Sequence, residues 1–381
     1  MAYRPLAGVR VLDLARLIPG DLLTRHLADL GADVVKVEPP GAVDYLRTIP
    51  PLYEGEGHHH WNLNRGKRSI ALDLRNEREH QTFMRLADVA DVIVEVSHPG
   101  RFAALGVDFG AIRRRRPELV VASVTAYGQT GPLAQLPAHG MSMDAMAGVA
   151  FIARREGRAF FGRGPVTSLA NEAAANHGAI AVIAALYSAR MTGQGAWIDV
   201  SCWDAAAEMN RAAITYNLIE GRPREIGMDS WSLYSIYEAS DGREVVLCAI
   251  ERKFFERFCA GIGRPDLMSA WEAGEASVDY GNESLRQTLE KVFRMATAEE
   301  WLHRLIAWDV PGGLIVTSDE LAEFEVWTER GLVERDWIGR VPNVLGAVRF
   351  LDDGSRPGQG AGPASQAGAD TAAVVESWLG A

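Results

Sequence analysis

The feature that most constrains this chain is a regular alternation of short β-branched runs with amphipathic ones, sustained from its start to residue 127. "VRVLDLA" has the composition of a buried strand. "GDLLTRHLADLG" then sets Leu23, Leu27 and Leu30 at helical spacing before Gly31, and "ADVVKVEPP" returns as a strand. Strand, helix and strand at this spacing make a βαβ unit, which implies a parallel sheet. "SIALDL", a helix through "EREHQTFMRLADVA", "DVIVEVS", a helix around "GVDFGAIRRRRPE" and "LVVASVTAYG" repeat the pattern. The expectation is an α/β fold with an open, Rossmann-like parallel sheet and ligands beyond the carboxyl ends of its strands. A dinucleotide is disfavoured, because no GxGxxG follows the first strand and "IPGDLL" offers one glycine at a helix start.

The 381 residues are too many for one ordinary core and too few for three, which predicts a large domain and a smaller one. "GRPREIGMDS" reads as a turn-rich connector, "SLYSIYEASDGREVVLCAIE" as a hairpin pivoting on "SDG", and "RKFFERFCAGIG" as the opening of a run of helices. The expected division is a large domain over 1–224 completed by 326–381, and a small α+β domain over 225–325. "DDGSRPGQGAGPASQAGAD" alone has the composition of an unfolded tail.

A formal net charge of -11 with no basic face evident argues against a nucleic-acid partner, and 48% hydrophobic with 23% charged residues suits a soluble enzyme of small molecules. Cys202, Cys248 and Cys259 show no CxxC spacing and read as small hydrophobes. Charged residues interrupt the apolar runs of "MAYRPLAGVRVLDLAR" before they reach signal-peptide length, and no stretch approaches a membrane span. The expected location is the cytoplasm, without a membrane partner.

"VTSLANEAAANHG" opens a long apolar helix, and a helix start aims backbone N–H groups at anions. Asn171 stands where a carboxylate would be expected, with Glu172 next to it. Asn is also a favoured N-cap, so capping and substrate binding are compatible readings. "HHH" at 58–60 is not read as a metal site, since adjacent histidines cannot all face one ion in regular structure; it is expected as a loop. "RRRR" at 113–116 reads as the solvated face of a helix ended by Pro117. "NRGKRS" offers Lys67 and Arg68 as a phosphate site or a surface loop.

Seven pieces together resemble the class III CoA-transferases, including carnitine-CoA-transferase-like proteins, and the related α-methylacyl-CoA racemases. They are "PLAGVRVLDLARLIPG", "LADLGADVVKVEPPG", "NLNRGKRSIALDL", "ADVIVEVSHPGRFAALGVDF", "PELVVASVTAYGQTGP", "AALYSARMTGQGAWIDVS" and "VPGGLIVTSDELAE", in the family's order over nearly the whole chain. A looser match ends the chain, where Gly368, Ala369, Asp370 and Thr371 replace the family's Gly-Glu-His-Thr run. The resemblance implies an enzyme of CoA thioesters, built as an obligate homodimer of interlocked ring-shaped chains, with coenzyme A carried as acyl-CoA substrate and no metal. It implies CoA contacts at Leu72, Asp73, Val96, Ser97 and Arg101, with Lys67 and Arg68 near the adenosine phosphates. Pro39 and Ala104 replace two arginines common in the family, for which Arg16 and Arg101 are the available substitutes.

The resemblance also separates branches. Transferases similar to formyl-CoA transferase use an Asp nucleophile where this chain has Asn171, and a glycine-rich loop that "DSWSLYSIYEASDG" lacks. An amide is a very poor nucleophile, so that mechanism cannot run on Asn171. Similarity to the racemases places His139 at their catalytic His and Glu251 at the carboxylate orienting it, while Gly140 and Asn171 occupy the positions of their second, acidic base. One-base chemistry at the α-carbon of an acyl-CoA follows, as an isomerase or lyase, with Asn171 as oxyanion donor. The alternatives are CoA transfer to a carboxylic acid with Glu172 as displaced nucleophile, and a non-catalytic CoA-binding subunit.

Overall fold

The computed structural model describes residues 3–41, 44–162, 168–221, 231–272, 283–321, 323–338 and 341–380. The chain forms two compact units, Met1–Ile219 with Arg330–Ala381, and Glu220–Glu329. The connector read in "GRPREIGMDS", and with it the boundary at 224/225, falls outside the described residues apart from Gly221.

The first unit is built on six parallel strands, β1 (Arg10–Leu14), β2 (Asp33–Glu38), β3 (Arg68–Ala71), β4 (Val92–Glu95), β5 (Val120–Thr125) and β6 (Trp197–Ser201). Their order across the sheet is β6-β5-β4-β1-β2-β3. This is the doubly wound order, in which the direction of winding reverses between β1 and β4. The strands read as apolar runs because both faces are covered. Val11, Val34, Val92, Val94, Val120, Ala122 and Val124 pack with α1 (Ile18–Asp29) and the long central helix. Leu12, Leu14, Val35, Ile93 and Val121 face Phe83 of α3 (Glu77–Ala87), Ile112 of α4 (Phe109–Arg115) and Val374 and Trp378 of the last helix. Between β5 and β6 lie α5 (Gly140–Met146), a hairpin over 152–161, and α6 (Leu169–Thr192); α7 (Cys202–Met209) follows β6.

The "HHH" triplet corrects its reading, because His58–Asn64 is a helix, α2, and not a loop. His60 is buried, with Nε2 beside the Arg47 guanidinium (3.0 Å) and Nδ1 beside the Asn64 amide (3.2 Å). Burial, and then the Arg47 charge, push this imidazole down to about 3, so it stays neutral. The tail is corrected too, since its glycines meet the sheet and do not hang from it. Arg65, fully buried, binds Asp29 (2.7 Å), the Val344 carbonyl (2.6 Å) and the Asn343 amide oxygen. Gly66 N–H donates to the Gly362 carbonyl and Gly358 N–H to the Asp29 carbonyl. The outward N–H groups of edge strand β3 are closed by side chains: Ser69 N–H donates to Asp370 (2.8 Å) and Ala71 N–H to the Thr371 hydroxyl (3.1 Å), at the head of the last helix, Thr371–Leu379. An edge so covered offers no template for another strand.

In the second unit, β7 (Tyr234–Glu238), β8 (Glu244–Cys248) and β9 (Gly312–Leu314) form an antiparallel sheet, with the expected turn at "SDG". α8 (Arg252–Gly261), α9 (Glu283–Phe293) and α10 (Ala298–Trp308) cover it. Phe255, Phe258, Phe293 and Trp301 form the aromatic core of this unit.

Candidate functional site

The winding reversal opens a crevice at the ends of β1 and β4, where Leu14 is the register partner of Glu95. Arg16 leaves β1 exposed, and Val96 and Ser97 leave β4. Between them the backbone is held in an unusual state: Leu17 has φ 67° and ψ -175°, a conformation almost confined to glycine, and its N–H donates to both Asp44 carboxylate oxygens (3.0 and 3.3 Å). Gly20 must be glycine here, because a Cβ would lie 2.4 Å from Ala15 Cβ and 2.6 Å from Val96 Cγ1. α1 therefore descends directly onto the two strand ends. Glu95 is buried under this turn, accepts from Ser97 N–H (2.7 Å), and is pushed up to about 7 by its burial.

Arg101 opens the short helix Arg101–Ala104, exposed and with no ion pair among the described residues. Beyond it is a cavity of about 260 Å³, lined by Leu74, Arg75, Glu77, His80, Ala104 and Leu105. His80 Nε2 is buried there without a hydrogen-bond partner among the described residues. A mixed slot, with Leu74, Ala104 and Leu105 beside Arg75, Glu77 and an orphaned ring nitrogen, fits a flat heterocycle with a polar edge, which is what the adenine of coenzyme A presents. Leu72 and Asp73 lead into it. Their N–H groups are already spent, on the Glu38 carbonyl (3.0 Å) and the Glu79 carboxylate (2.6 Å), and the Asp73 carbonyl accepts from Asn76 N–H (2.9 Å), so the Leu72 carbonyl is the backbone group best placed to receive an amine. Sequence reasoning missed Leu74, His80 and Leu105. Nothing in their local pattern marks them, since the slot forms only where the segment after β3 meets the short helix after β4.

Lys67 and Arg68 are corrections. Lys67 is buried, and its ammonium is surrounded by Asp13 (3.0 Å), the Asp21 carbonyl (2.9 Å), Thr24 Oγ1 (2.7 Å) and Asn64 Oδ1 (2.8 Å), which leaves no donor for a phosphate. Arg68 begins β3, at the amino edge of the sheet and away from the crevice. Its guanidinium takes Asp33 in a fork (3.1 and 2.6 Å) and reaches Ser377 of the last helix (3.1 Å). Both cations build the unit. The arginines of "RRRR" bind locally, Arg115 to Asp88 and Arg116 to Glu118.

At the start of α6 the expected carboxylate is present, but it arrives from another helix. Asp144 of α5 accepts from Ser168 Oγ (2.8 Å), Leu169 N–H (3.3 Å) and Ala170 N–H (2.8 Å). Glu172 N–H donates to the Ser168 carbonyl, so any donor this turn offers a substrate has to come from Asn171. The Asn171 side chain is buried and makes no hydrogen bond among the described residues. A Cβ built on Gly140 would lie 3.0 Å from its Nδ2, and 2.3 Å from Ser168 Cβ. The bare Cα of Gly140 therefore brings Asn171 against the residue next to His139, which is exposed at the N-cap of α5. Glu172 is set about 100° round the helix from Asn171. It is half-buried, and its charge is felt by Arg25 of α1. Glu251 belongs to the second unit, at the N-cap of α8, paired with Lys253 (2.9 Å). Among the described residues no group of His, Cys, Asp and Glu is arranged to hold a metal, and no helix is long and apolar enough to cross a membrane.

The family model for CoA-transferase family III matches residues 6–371. The chain belongs to that family. Among its family III relatives are acetyl-CoA:oxalate CoA-transferase of Acetobacter aceti, 30% identical over 93% of this chain and 92% of that one, and human succinyl-CoA:glutarate CoA-transferase, 29% identical over 91% and 80%. The fold is shared with crystal structures of Rv3272 from Mycobacterium tuberculosis (TM-score 0.83, 28% identity, 98% and 99% covered) and of a CAIB/BAIF family protein from Brucella suis (0.80, 26%, 98% and 99%).

Proposed function

We propose that this family III chain binds an acyl-CoA in its first unit and moves a proton at the α-carbon of the acyl group, with a single base. The adenine would occupy the slot beside His80, the phosphates would meet Arg16 and Arg101, and Val96 and Ser97 would line the pantetheine. His139 is the acid/base and Asn171 the donor to the thioester oxygen. A thioester eases loss of its α-proton, and the resulting enolate oxygen needs a hydrogen-bond donor, which an amide supplies without competing for the proton.

The observation that carries this reading is the contact of Asn171 with Gly140, which sets a buried neutral donor against the residue that follows the base. In D₂O, the enzyme is expected to exchange the α-proton of one of a panel of acyl-CoA esters (propionyl, 2-methylbutyryl, phenylacetyl). His139→Ala should slow that exchange by roughly 10²–10⁴, the usual worth of a positioned acid/base, while coenzyme A still binds. Exchange at the wild-type rate in His139→Ala would remove the proposal.

A second reading is favoured by the names of the relatives, which are CoA-transferases. Transfer of CoA to a carboxylic acid would need Glu172 as nucleophile, although it is turned from Asn171 and its charge reaches Arg25. Hydroxylamine trapping of an acyl group on Glu172 would decide for transfer; coenzyme A binding with neither exchange nor trapping would point to a binding subunit.

A further inference from the structure

We infer that Asp144 is a positioning residue that supplies, from outside α6, the negative charge its helix start attracts, and thereby clamps α5 to α6 and keeps position 171 neutral. The clamp has two ends. At one, Gly140 admits Ser168 and Asn171 to van der Waals contact. At the other, the Asp144 carboxylate binds Ser168 Oγ and the N–H groups of Leu169 and Ala170. Ser168, the N-cap of α6, makes no cap of its own, because its hydroxyl is turned to Asp144. α5 is only seven residues long, so holding both ends of it fixes His139 relative to Asn171. A helix start stabilises one anion readily, and a second carboxylate buried against the first is opposed by it; Glu172, the acidic residue of the first turn, is instead half-buried, turned from position 171 and within the field of Arg25. Asp144 holds the anion's place at the helix start, and Asn171 is accordingly an amide. What the fixed geometry does for catalysis rests on the α-carbon reading, whereas the clamp does not.

A double-mutant cycle tests the clamp: Asn171→Asp, Asp144→Asn and the pair, each unfolded in urea at pH 7.5. Asn171→Asp is expected to raise the unfolding constant roughly tenfold with Asp144 present, and to leave it unchanged or lower it beside Asp144→Asn. Additive effects would overturn the charge assignment. Positioning is read in the exchange assay. Asp144→Ala should cut kcat by roughly 10–10²-fold with KM within about twofold, and Asp144→Glu should restore part of the loss. An unchanged kcat, or a rise in KM as large as the fall in kcat, would overturn positioning. His139→Ala in the same assay separates the two failures: if it exchanges normally, the α-carbon reading has fallen and the urea cycle alone decides on Asp144.

Discussion

At the scale of single residues, the buried carboxyl of Glu95 gives the crevice a measurable pH signature. Its folded-state pKa is raised from 4.5 to about 7 by burial, so the folded protein keeps a proton that the unfolded chain has released. Stability from this group is therefore whole below pH 4.5, falls as pH rises towards about 7, and is level above that, a loss of about 3 kcal/mol at most. Glu95→Gln should flatten that stretch of the stability curve, measured by urea unfolding from pH 4.5 to 8. An unchanged slope would show that Glu95 ionises freely. The residue scale is also where the sequence was least legible. Lys67 sits in a stretch that matches the family, yet its ammonium is used up by nearby Asn64 and by Asp13 and Thr24, which are far away in sequence. Asp144 carries no signal at all, because its cap closes on a helix that begins 25 residues later, and a local pattern records only caps made within one turn.

At the scale of elements, the strands of the parallel sheet up to residue 127 and most of their helices were legible from the alternation of strand and helix periods, the stretch between β2 and β3 excepted. Elements that depend on distant partners were not. α2 is helical because His60, Asn64 and Trp61 find burial and bonds, which composition cannot report. The tail reads as unfolded, yet its polar groups close the edge of β3. The approach of α1 to the crevice has a direct test. Gly20→Ala places a methyl within 2.4 Å of Ala15 Cβ and 2.6 Å of Val96 Cγ1, both on short, stiff groups that cannot swing away. It should cost about 1–3 kcal/mol by overpacking and weaken coenzyme A binding as Val96 is displaced. Unaltered calorimetric titration with coenzyme A would detach Val96 from the site.

At the scale of the whole molecule, α6 is unusual for a helix with so much open surface. Ile180, Tyr187 and Met191 are 66%, 69% and 68% exposed on it, and Leu218 and Ile219, at the end of the first unit, are 81% and 75% exposed. Ile180, Tyr187 and Met191 share one helix face at spacings of seven and four residues, and a second copy of the chain is the proposed cover. Sedimentation at nanomolar concentration is expected to give a dimer and no folded monomer, and Tyr187→Arg with Met191→Glu to produce aggregation or unfolding. A stable monomer would dismiss the obligate homodimer.

The closure of β3 by residues 358–371 has a consequence for how the chain is made. The second unit, Glu220–Glu329, is fully synthesised before the first unit receives its last piece, Arg330–Ala381. Until that piece leaves the ribosome, Arg65 lacks its Asn343 and Val344 acceptors, and the amides of Ser69 and Ala71 have only water to donate to. A nascent chain therefore carries an open, adhesive strand through the greater part of its synthesis. The first unit's sheet is sealed only after the second unit has been made.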